Sequence, residues 1–211
     1  MYGLNSLDVK IFEFLTNKNV KNNFFIEAGA NDGLMQSNTA ILEFQYGWKG
    51  ILIEPNKINF LSAKSNRPNS IVVEGALVCK SYEQKTIKGI FSDNSIDRFN
   101  GLCSGVTDYH LKEYPGWICE VNALKLSKIL EEHKCPTNPG LLSLDVEGYE
   151  LEALDGLDFS KFRPEVIVLE IAQWTESMIL NQYLDFMNNV GYTFVKKFDT
   201  NGHDYLFIDA K

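Results

Sequence analysis

The stretch from Phe24 to Gly33, which reads FFIEAGANDG, constrains the fold of this 211-residue chain more than any other. Three apolar residues precede Glu27, and two glycines four positions apart enclose Asn31 and Asp32. This pattern predicts a buried strand that ends abruptly in a glycine loop. Because glycine has no Cβ and adopts positive φ angles, such a loop brings bare backbone close to a ligand. A strand, a glycine loop and a helix open the nucleotide-binding α/β sheets.

The composition argues against several classes of protein. The formal net charge is −8, whereas a phosphate-binding surface needs a concentrated basic patch, so we expect no nucleic-acid partner. No run approaches the roughly 18 apolar residues of a membrane span. The first residues do not follow the pattern of a signal peptide, so we expect an intracellular, cytoplasmic protein. The four cysteines form no Cys-x-x-Cys pair, which favours reduced thiols over a zinc site.

Strand and helix patterns alternate along the chain, which predicts a single three-layer α/β domain over residues 1–211. Residues 1–22 form its helical lead-in. We predict strands at Phe24–Ile26, Gly50–Ile53, Ser70–Val78, Trp117–Val121, Leu141–Leu144, Glu165–Ile171, Tyr192–Phe198 and Tyr205–Asp209. We predict helices at Val9–Leu15, Asn38–Tyr46, around Ile58 to Ala63, and at Leu126–His133, Glu150–Leu157 and Glu176–Val190. The last two strands flank Asn201 and Gly202, a strong signal for an antiparallel hairpin.

One long segment, residues 80–116, has turn residues and aromatics but no helical period. It is either a surface insertion or a substrate lid, because long irregular segments in compact domains are often binding loops. The sequence leaves both interpretations open.

Carboxylates follow four of the predicted strands. In an open parallel sheet, ligands bind at the carboxyl ends of the strands, so these residues predict a site at one rim: Glu27, Glu54, Asp145 with Glu147, and Glu170. We expect the next acidic run, Glu150 to Glu152, to be the solvated start of a helix.

The spacing of Glu54 predicts a nucleoside ligand. It follows Gly33 by about 21 residues, the offset at which an acid reaches ribose hydroxyls. The glycine loop, however, lacks the Gly-x-Gly-x-x-Gly spacing, and Asp32 stands where a pyrophosphate would lie. This disfavours NAD or FAD and suits a ligand with a cationic or zwitterionic end, such as the amino-acid portion of S-adenosylmethionine.

Six segments occur in a familiar order between Ile26 and Ile171: IEAGANDG, SNT, WKGILIEP, EGAL, SLDVEGYELEAL and VIVLEI. Together they resemble the FkbM-type methyltransferases, a branch of the class I, S-adenosylmethionine-dependent fold. The resemblance implies a Rossmann-like α/β fold with a mostly parallel seven-stranded sheet, helices on both faces and a C-terminal antiparallel hairpin. It is weakest over residues 80–116.

The resemblance also implies which residues bind S-adenosylmethionine. The loop around the methionine part would be formed by Glu27, Gly29, Asn31, Asp32 and Gly33, with Ser37 and Asn38 beside it. Glu54 would accept hydrogen bonds from the ribose, Ala76 and Leu77 would border the adenine, and Asp145 would lie beside the sulfonium.

Family members mostly methylate hydroxyl groups of sugars or natural products, which requires a base or a metal to activate the oxygen. Asp145 with Glu147 is one candidate for the base, and His203 is another. Asp145 with Glu170 is a candidate site for Mg²⁺ or Mn²⁺, since hard cations prefer carboxylate oxygens.

The leading hypothesis is therefore an O-methyltransferase that acts on a sugar or glycan hydroxyl. The resemblance also implies that the chain is one domain of a larger glycan-building protein. A set of aromatic residues would suit a sugar ring, or would simply cover the core: Tyr109, Tyr114, Trp117 and Trp174. Three alternatives remain, namely methylation of a polyketide or other small-molecule hydroxyl, an NAD-dependent reductase, and a non-catalytic nucleotide-binding or interaction module.

Overall fold

The computed structural model describes residues 2–91, 105–113, 118–171, 173–199 and 202–211. Its strands, in chain order, are β1 Phe24–Ala28, β2 Lys49–Glu54, β3 Ile71–Glu74, β4 Ala76–Leu77, β5 Thr86–Ile90, β6 Ile118–Leu124, β7 Leu141–Leu144, β8 Val166–Glu170, β9 Tyr192–Lys197 and β10 Asp204–Asp209. Its α-helices are α1 Leu7–Lys18, α2 Ala40–Tyr46, α3 Lys57–Asn66, α4 Asp108–Glu113, α5 Leu126–Glu132, α6 Glu150–Asp155 and α7 Gln173–Asn189. None of the helices in these ranges combines the length and apolarity needed to cross a membrane.

The main sheet has seven strands in the order β3-β2-β1-β7-β8-β10-β9. The first five are parallel, and β10 runs antiparallel to both β8 and β9. The predicted fold class, a mostly parallel seven-stranded α/β sheet with antiparallel strands at its C-terminal end, is confirmed. The turn residues Thr200 and Asn201 lie outside the described residues.

Helices cover both faces of this sheet because successive side chains of a strand point to opposite faces. Ile26 and Ala28 of β1 pack into a core cluster with side chains of α5, α6 and α7. Phe25 points the other way, into a cluster with side chains of α1, α2 and α3. The central strands β1, β2, β7 and β8 are almost continuously apolar, as strands buried on both faces should be.

The predicted strand Ser70–Val78 is wrong in its extent. The chain leaves the main sheet after β3, and Gly75 separates β3 from β4, which pairs with β6 instead. A β-carbon at Gly75 would lie 2.5 Å from the side chain of Leu124, so the backbone at Gly75 packs directly against this residue of β6. Strands β4, β6 and β5 form a second, three-stranded sheet.

The segment predicted to be irregular contains regular structure. Strand β5 pairs antiparallel with β6, and α4 follows later. Strand β5 is only partly buried and reads TIKGI, so it offers no apolar run that would predict a strand. Residues 92–104 and 114–117 lie outside the described residues. The predicted aromatic set therefore cannot be placed, because Tyr114 and Trp117 belong to these ranges and the side chains of Tyr109 and Trp174 also lie outside the described part of the structure.

Strand β1 is the centre of the topology because it pairs with β2 on one side and β7 on the other. The order of the strands reverses between β1 and β7, which is where open α/β sheets bind their ligands. The backbone continues the pairing just beyond the strands: Gly29 N–H donates to Ile53, and Asp145 N–H donates to Ala28. The topology therefore predicts a cleft above Gly29 and Asp145.

Candidate active site

A cavity lies at this point of strand reversal. It contains about 920 Å³ of empty space, which includes solvent at its open mouth. Its wall contains six of the residues predicted to bind a cofactor, namely Gly29, Asn31, Glu54, Ala76, Leu77 and Asp145, and also the predicted catalytic residue Glu147.

Glu54 is held rigidly at the end of β2. Its side chain is buried, and its two carboxylate oxygens accept hydrogen bonds from the backbone N–H groups of Asn31 and Asn56, each at 2.8 Å. Burial raises the pKa of Glu54 to about 8, although both hydrogen bonds oppose this shift. Glu54 thus links the glycine loop to the start of α3 and still presents acceptor lone pairs beside the cavity.

The glycine loop brings its backbone against β7. Gly29 has a φ of 79°, and a β-carbon there would lie 1.7 Å from the carbonyl oxygen of Asp145. Asn31 has a φ of 49°, and its side chain accepts a hydrogen bond from the Asp32 N–H at 2.8 Å. The glycine at position 29 is therefore required by the close approach of two strand ends.

Five of the predicted cofactor residues, Glu27, Asp32, Gly33, Ser37 and Asn38, do not lie on the cavity wall. Their cofactor contacts stay predictions, and the structure gives each of them a local role. Asp32 accepts hydrogen bonds from the backbone N–H groups of Leu34 and Met35, which fixes the turn after the loop. Asn38 donates to the hydroxyl of Ser143 on β7 at 3.0 Å.

Glu27 points away from the cavity into a buried polar network. Its carboxylate accepts hydrogen bonds from the Asn38 backbone and from the hydroxyls of Ser37 and Thr39, the shortest at 2.6 Å. Ser37 in turn accepts from the N–H of Ala40, the first residue of α2. Glu27 therefore fixes the start of α2 against β1.

A fully buried arginine, Arg67, completes this network, and sequence reasoning missed it. Its guanidinium donates to Glu43 at 2.7 Å, to the Gly33 carbonyl oxygen at 2.9 Å and to the Thr39 hydroxyl at 3.1 Å, and it lies 3.7 Å from Glu27. Nothing in the sequence marks Arg67 as buried, because its partners come from three separate segments.

On the side of the cavity formed by β7 and β8, the carboxyl groups of Asp145 and Glu170 form a hydrogen-bonded pair. Burial and the charge of Glu170 raise the pKa of Asp145 well above its ordinary value. Burial raises the pKa of Glu170 to about 7, while the hydrogen bond from Asp145 lowers it. The hydrogen bond therefore raises the pKa of Asp145 and lowers that of Glu170, so Asp145 is the member of the pair that holds the proton more strongly.

Further acids surround the pair. Burial, followed by the charges of Asp145 and Glu150, raises the pKa of Glu147 to about 9, so Glu147 is protonated at neutral pH. Burial also raises the pKa of Asp204 to about 6. Glu170 lies next to Asp204 because β8 and β10 are paired there. Sequence reasoning missed Asp204, since its place beside Glu170 depends on the register of an antiparallel pair.

The expectation that Glu150 begins a solvated helix is wrong. Glu150 is fully buried, and one of its oxygens accepts hydrogen bonds from the Val146 and Gly148 backbone at 3.0 and 3.1 Å. The other accepts from the Tyr183 hydroxyl at 2.9 Å. These bonds hold the loop after β7, where Glu147 has a φ of 56°. Glu150 is thus a positioning residue for Asp145 and Glu147.

His203 lies directly before β10 and outside the cavity wall. Its carbonyl oxygen accepts a hydrogen bond from the Ile171 N–H at 2.8 Å, which places it beside the end of β8 and near Glu170. Its role as a base stays a prediction.

The metal prediction gains no support from the geometry. Among the described residues, no group of three or more His, Cys, Asp and Glu side chains is arranged to hold a metal ion. The prediction of Mg²⁺ or Mn²⁺ is testable by chelation.

Other cavity residues had no signal in the sequence, because they come from turns, from the first turn of α3 and from the segments that flank the strands of the second sheet. They are Met35, Gln36, Pro55, Asn59, Gly75, Phe91, Gly105, Val106 and Tyr149. Phe91, Gly105 and Val106 belong to the segment 80–116, so part of that segment does border the cavity.

Comparison with known proteins agrees with this arrangement. A family model described as the methyltransferase FkbM domain matches residues 27–194. A search of curated proteins finds no match.

Solved structures with a similar fold are also methyltransferases by description. Methyltransferase FkbM from Methylobacillus flagellatus KT is 15% identical with a TM-score of 0.52, and the match covers 89% of this chain but only 43% of that one. The N-terminal domain of human METTL16 in complex with SAH is 12% identical with a TM-score of 0.51, covering 97% and 70%. The human methyltransferase 10 domain containing protein is 9% identical with a TM-score of 0.51, covering 100% and 85%. At these identities the likeness shows a shared fold.

Proposed function

Because the chain belongs to the FkbM family of methyltransferases, we propose that it is an S-adenosylmethionine-dependent O-methyltransferase that acts on a hydroxyl group of a sugar or glycan. The observation that carries this proposal is the division of one cavity into two halves. Glu54 and the glycine loop form one half, and the Asp145–Glu170 pair borders the other.

The cofactor half fits a nucleoside. Glu54 offers carboxylate lone pairs to two ribose hydroxyls, while Ile53, Ala76 and Leu77 form an apolar wall for a purine. Gly29 brings its backbone to the cavity wall in a close approach to Asp145 that leaves no room for a β-carbon. A similar fold, that of human METTL16, has been solved with SAH bound, which supports the same class of ligand here.

The acidic character of the opposite half supports a cationic cofactor. Asp145 and Glu147 lie on the wall, with Glu170, Glu150 and Asp204 near enough to interact with them electrostatically. S-adenosylmethionine supplies, when bound, a methyl group on a positively charged sulfonium. A positive charge beside these carboxyl groups lowers their pKa values and stabilises the ionised pair.

The Asp145–Glu170 pair supplies the base. Above pH 7 the pair holds a single proton, on Asp145. When an acceptor hydroxyl gives its proton to Asp145, the proton already on Asp145 passes to Glu170, and the acceptor oxygen becomes nucleophilic. A hydroxyl group retains its proton at neutral pH and needs a base to remove it during the reaction, so a base with a pKa near neutrality supports a hydroxyl acceptor.

The wider context of the chain is part of the proposal. The chain spans less than half the length of the Methylobacillus flagellatus structure, and we propose that this domain works as one part of a larger glycan-building protein.

A transfer assay tests the proposal. Purified protein is incubated with methyl-labelled S-adenosylmethionine and three acceptor panels: free and nucleotide-linked sugars, oligosaccharides, and phenolic or polyketide hydroxyls. Mass spectrometry should find a labelled methyl ether on a sugar, and Asp145→Asn should abolish it while Asp185→Asn, an exposed control on α7, should not. Label only on the third panel would replace the sugar by a natural-product acceptor, and label on nitrogen would contradict O-methylation.

A further inference from the structure

Asn59 is the cavity residue whose chemistry the proposed function does not use. It lies in the first turn of α3, only 8% of its surface is exposed, and it forms part of the cavity wall with Glu54 and Pro55. The turn is fixed from outside the cavity, because the side chain of Asn56 accepts hydrogen bonds from the N–H groups of Ile58 and Asn59 at 2.9 and 3.2 Å. The backbone N–H of Asn59 therefore has a partner.

The side chain of Asn59 is not satisfied. Its Oδ1 atom is buried and has no hydrogen-bond partner within the described part of the chain. Burying an amide oxygen without a donor destabilises a folded protein, so native structures rarely leave one in this state. A residue at this position with no polar atom would avoid that cost.

The surroundings of Asn59 select the type of partner. The neighbouring wall residues Pro55, Ala76 and Leu77 are apolar, which suits the flat face of a base. An asparagine amide presents an acceptor and a donor side by side, and adenine presents the complementary pair on its edge, an exocyclic amine next to a ring nitrogen. Glu54, which carries two acceptor oxygens, is the better partner for ribose hydroxyls.

We propose that Asn59 recognises the edge of the cofactor's adenine, with Oδ1 accepting a hydrogen bond from the exocyclic amine. This assignment rests on the proposed binding of S-adenosylmethionine and adds the residue that selects the base. Asn59 would thereby distinguish adenosyl ligands from others that share the ribose and the amino acid.

Calorimetry with three ligands tests the assignment: S-adenosylhomocysteine, its analogue with unsubstituted purine in place of adenine, and its 3′-deoxy analogue. Wild-type protein should bind S-adenosylhomocysteine about tenfold more tightly than the purine analogue, as expected for one buried hydrogen bond. Asn59→Leu should bind the two with equal affinity and should keep the wild-type preference over the 3′-deoxy ligand. Asn59→Ala serves as a second variant in case leucine overfills the wall, and thermal melting of the ligand-free variants verifies folding.

The outcomes separate the two proposals. If wild type binds S-adenosylhomocysteine and Asn59→Leu and Asn59→Ala retain the preference over the purine analogue, the Asn59 assignment is wrong and the proposed function stands. If the variants lose the preference over the 3′-deoxy ligand instead, Asn59 contacts the ribose and the adenine assignment is again wrong. If wild type binds none of the ligands, the proposed function itself fails. Asn17→Leu, the same change on an exposed position of α1, should bind all three like wild type.

Discussion

Gly29 packs so closely against Asp145 that a β-carbon at position 29 would lie 1.7 Å from the Asp145 carbonyl oxygen. The two residues follow β1 and β7, the neighbouring strands between which the sheet order reverses. The same contact joins the two halves of the cavity, since Gly29 belongs to the glycine loop and Asp145 to the carboxyl pair. Any change that separates these strand ends alters both halves together.

Gly29→Ala should therefore unfold or severely destabilise the protein. Its β-carbon would collide with backbone, which cannot move aside like a flexible side chain, and φ is 79°. Gly47→Ala is a matched control, because Gly47 has a φ of 69° but no atom within 4 Å of the added carbon, so only the strain of about 1 kcal/mol remains. Urea unfolding should show a loss for Gly29→Ala at least twice that of the control. Equal losses would mean that the close approach is not rigid.

Arg67→Met should destabilise the protein by about 3–5 kcal/mol, because it leaves the carboxylates of Glu43 and Glu27 buried without a cation. Lys128→Met, which removes an exposed ion pair with Glu131, should cost less than about 1 kcal/mol. Both values are measured by urea unfolding. A loss below about 1 kcal/mol for Arg67→Met would show that the network contributes little to stability.

The kcat/KM for S-adenosylmethionine, which reports the groups of the free enzyme, should rise with pH through about 7, since burial raises the pKa of Glu170 to that value in the ligand-free protein and the pair acts as base when it holds one proton. Glu170→Gln should lower kcat by about a hundredfold or more, with nearly unchanged affinity for S-adenosylhomocysteine, which lacks the positive charge of the methyl donor. Glu13→Gln, at an exposed position of α1, should keep the wild-type profile. A wild-type profile in Glu170→Gln would remove Glu170 from the mechanism. Full activity after treatment with EDTA would argue against the predicted metal.

The stability of the ligand-free protein should also depend on Glu54. Burial raises its pKa from 4.5 to about 8, so between these values the native state keeps a proton that the unfolded state has lost. The contribution of Glu54 to the free energy of unfolding is fully present below pH 4.5, and it is lost as the pH rises from there through about 8. Relative to wild type, Glu54→Gln should gain at least roughly 1 kcal/mol of unfolding free energy between pH 5 and pH 8. An unchanged difference between the two proteins would contradict the raised pKa.

Most of the main sheet could be predicted from the sequence, because its strands are short apolar runs that end in turn residues. Leu141–Leu144 is a clear case, predicted with the same bounds that the structure has. The second sheet could be predicted only at β6, which the predicted strand Trp117–Val121 overlaps. Strand β4 has two residues and β5 is only partly buried, so neither produces a periodic signal.

The cavity could be predicted only in part. Residues directly after strands, such as Gly29, Glu54 and Asp145, are placed by the topology alone. The directions of side chains are a different matter, because they alternate along a strand and depend on register. Glu27 faces away from the cavity for this reason, and Asn59 reaches it from a helix whose orientation the sequence does not specify.

Calorimetric titration of the wild-type protein with S-adenosylmethionine and with NAD, repeated with Glu54→Gln and Glu74→Gln, tests the central claim most directly. Glu74 is a suitable control because it ends β3, opposite Glu54 in the parallel register, but is not part of the cavity wall. We expect wild type and Glu74→Gln to bind S-adenosylmethionine and not NAD, and Glu54→Gln to bind at least about tenfold more weakly. Binding of NAD, or no binding of S-adenosylmethionine, would contradict the proposed methyl donor, and unchanged affinity in Glu54→Gln would contradict the ribose assignment.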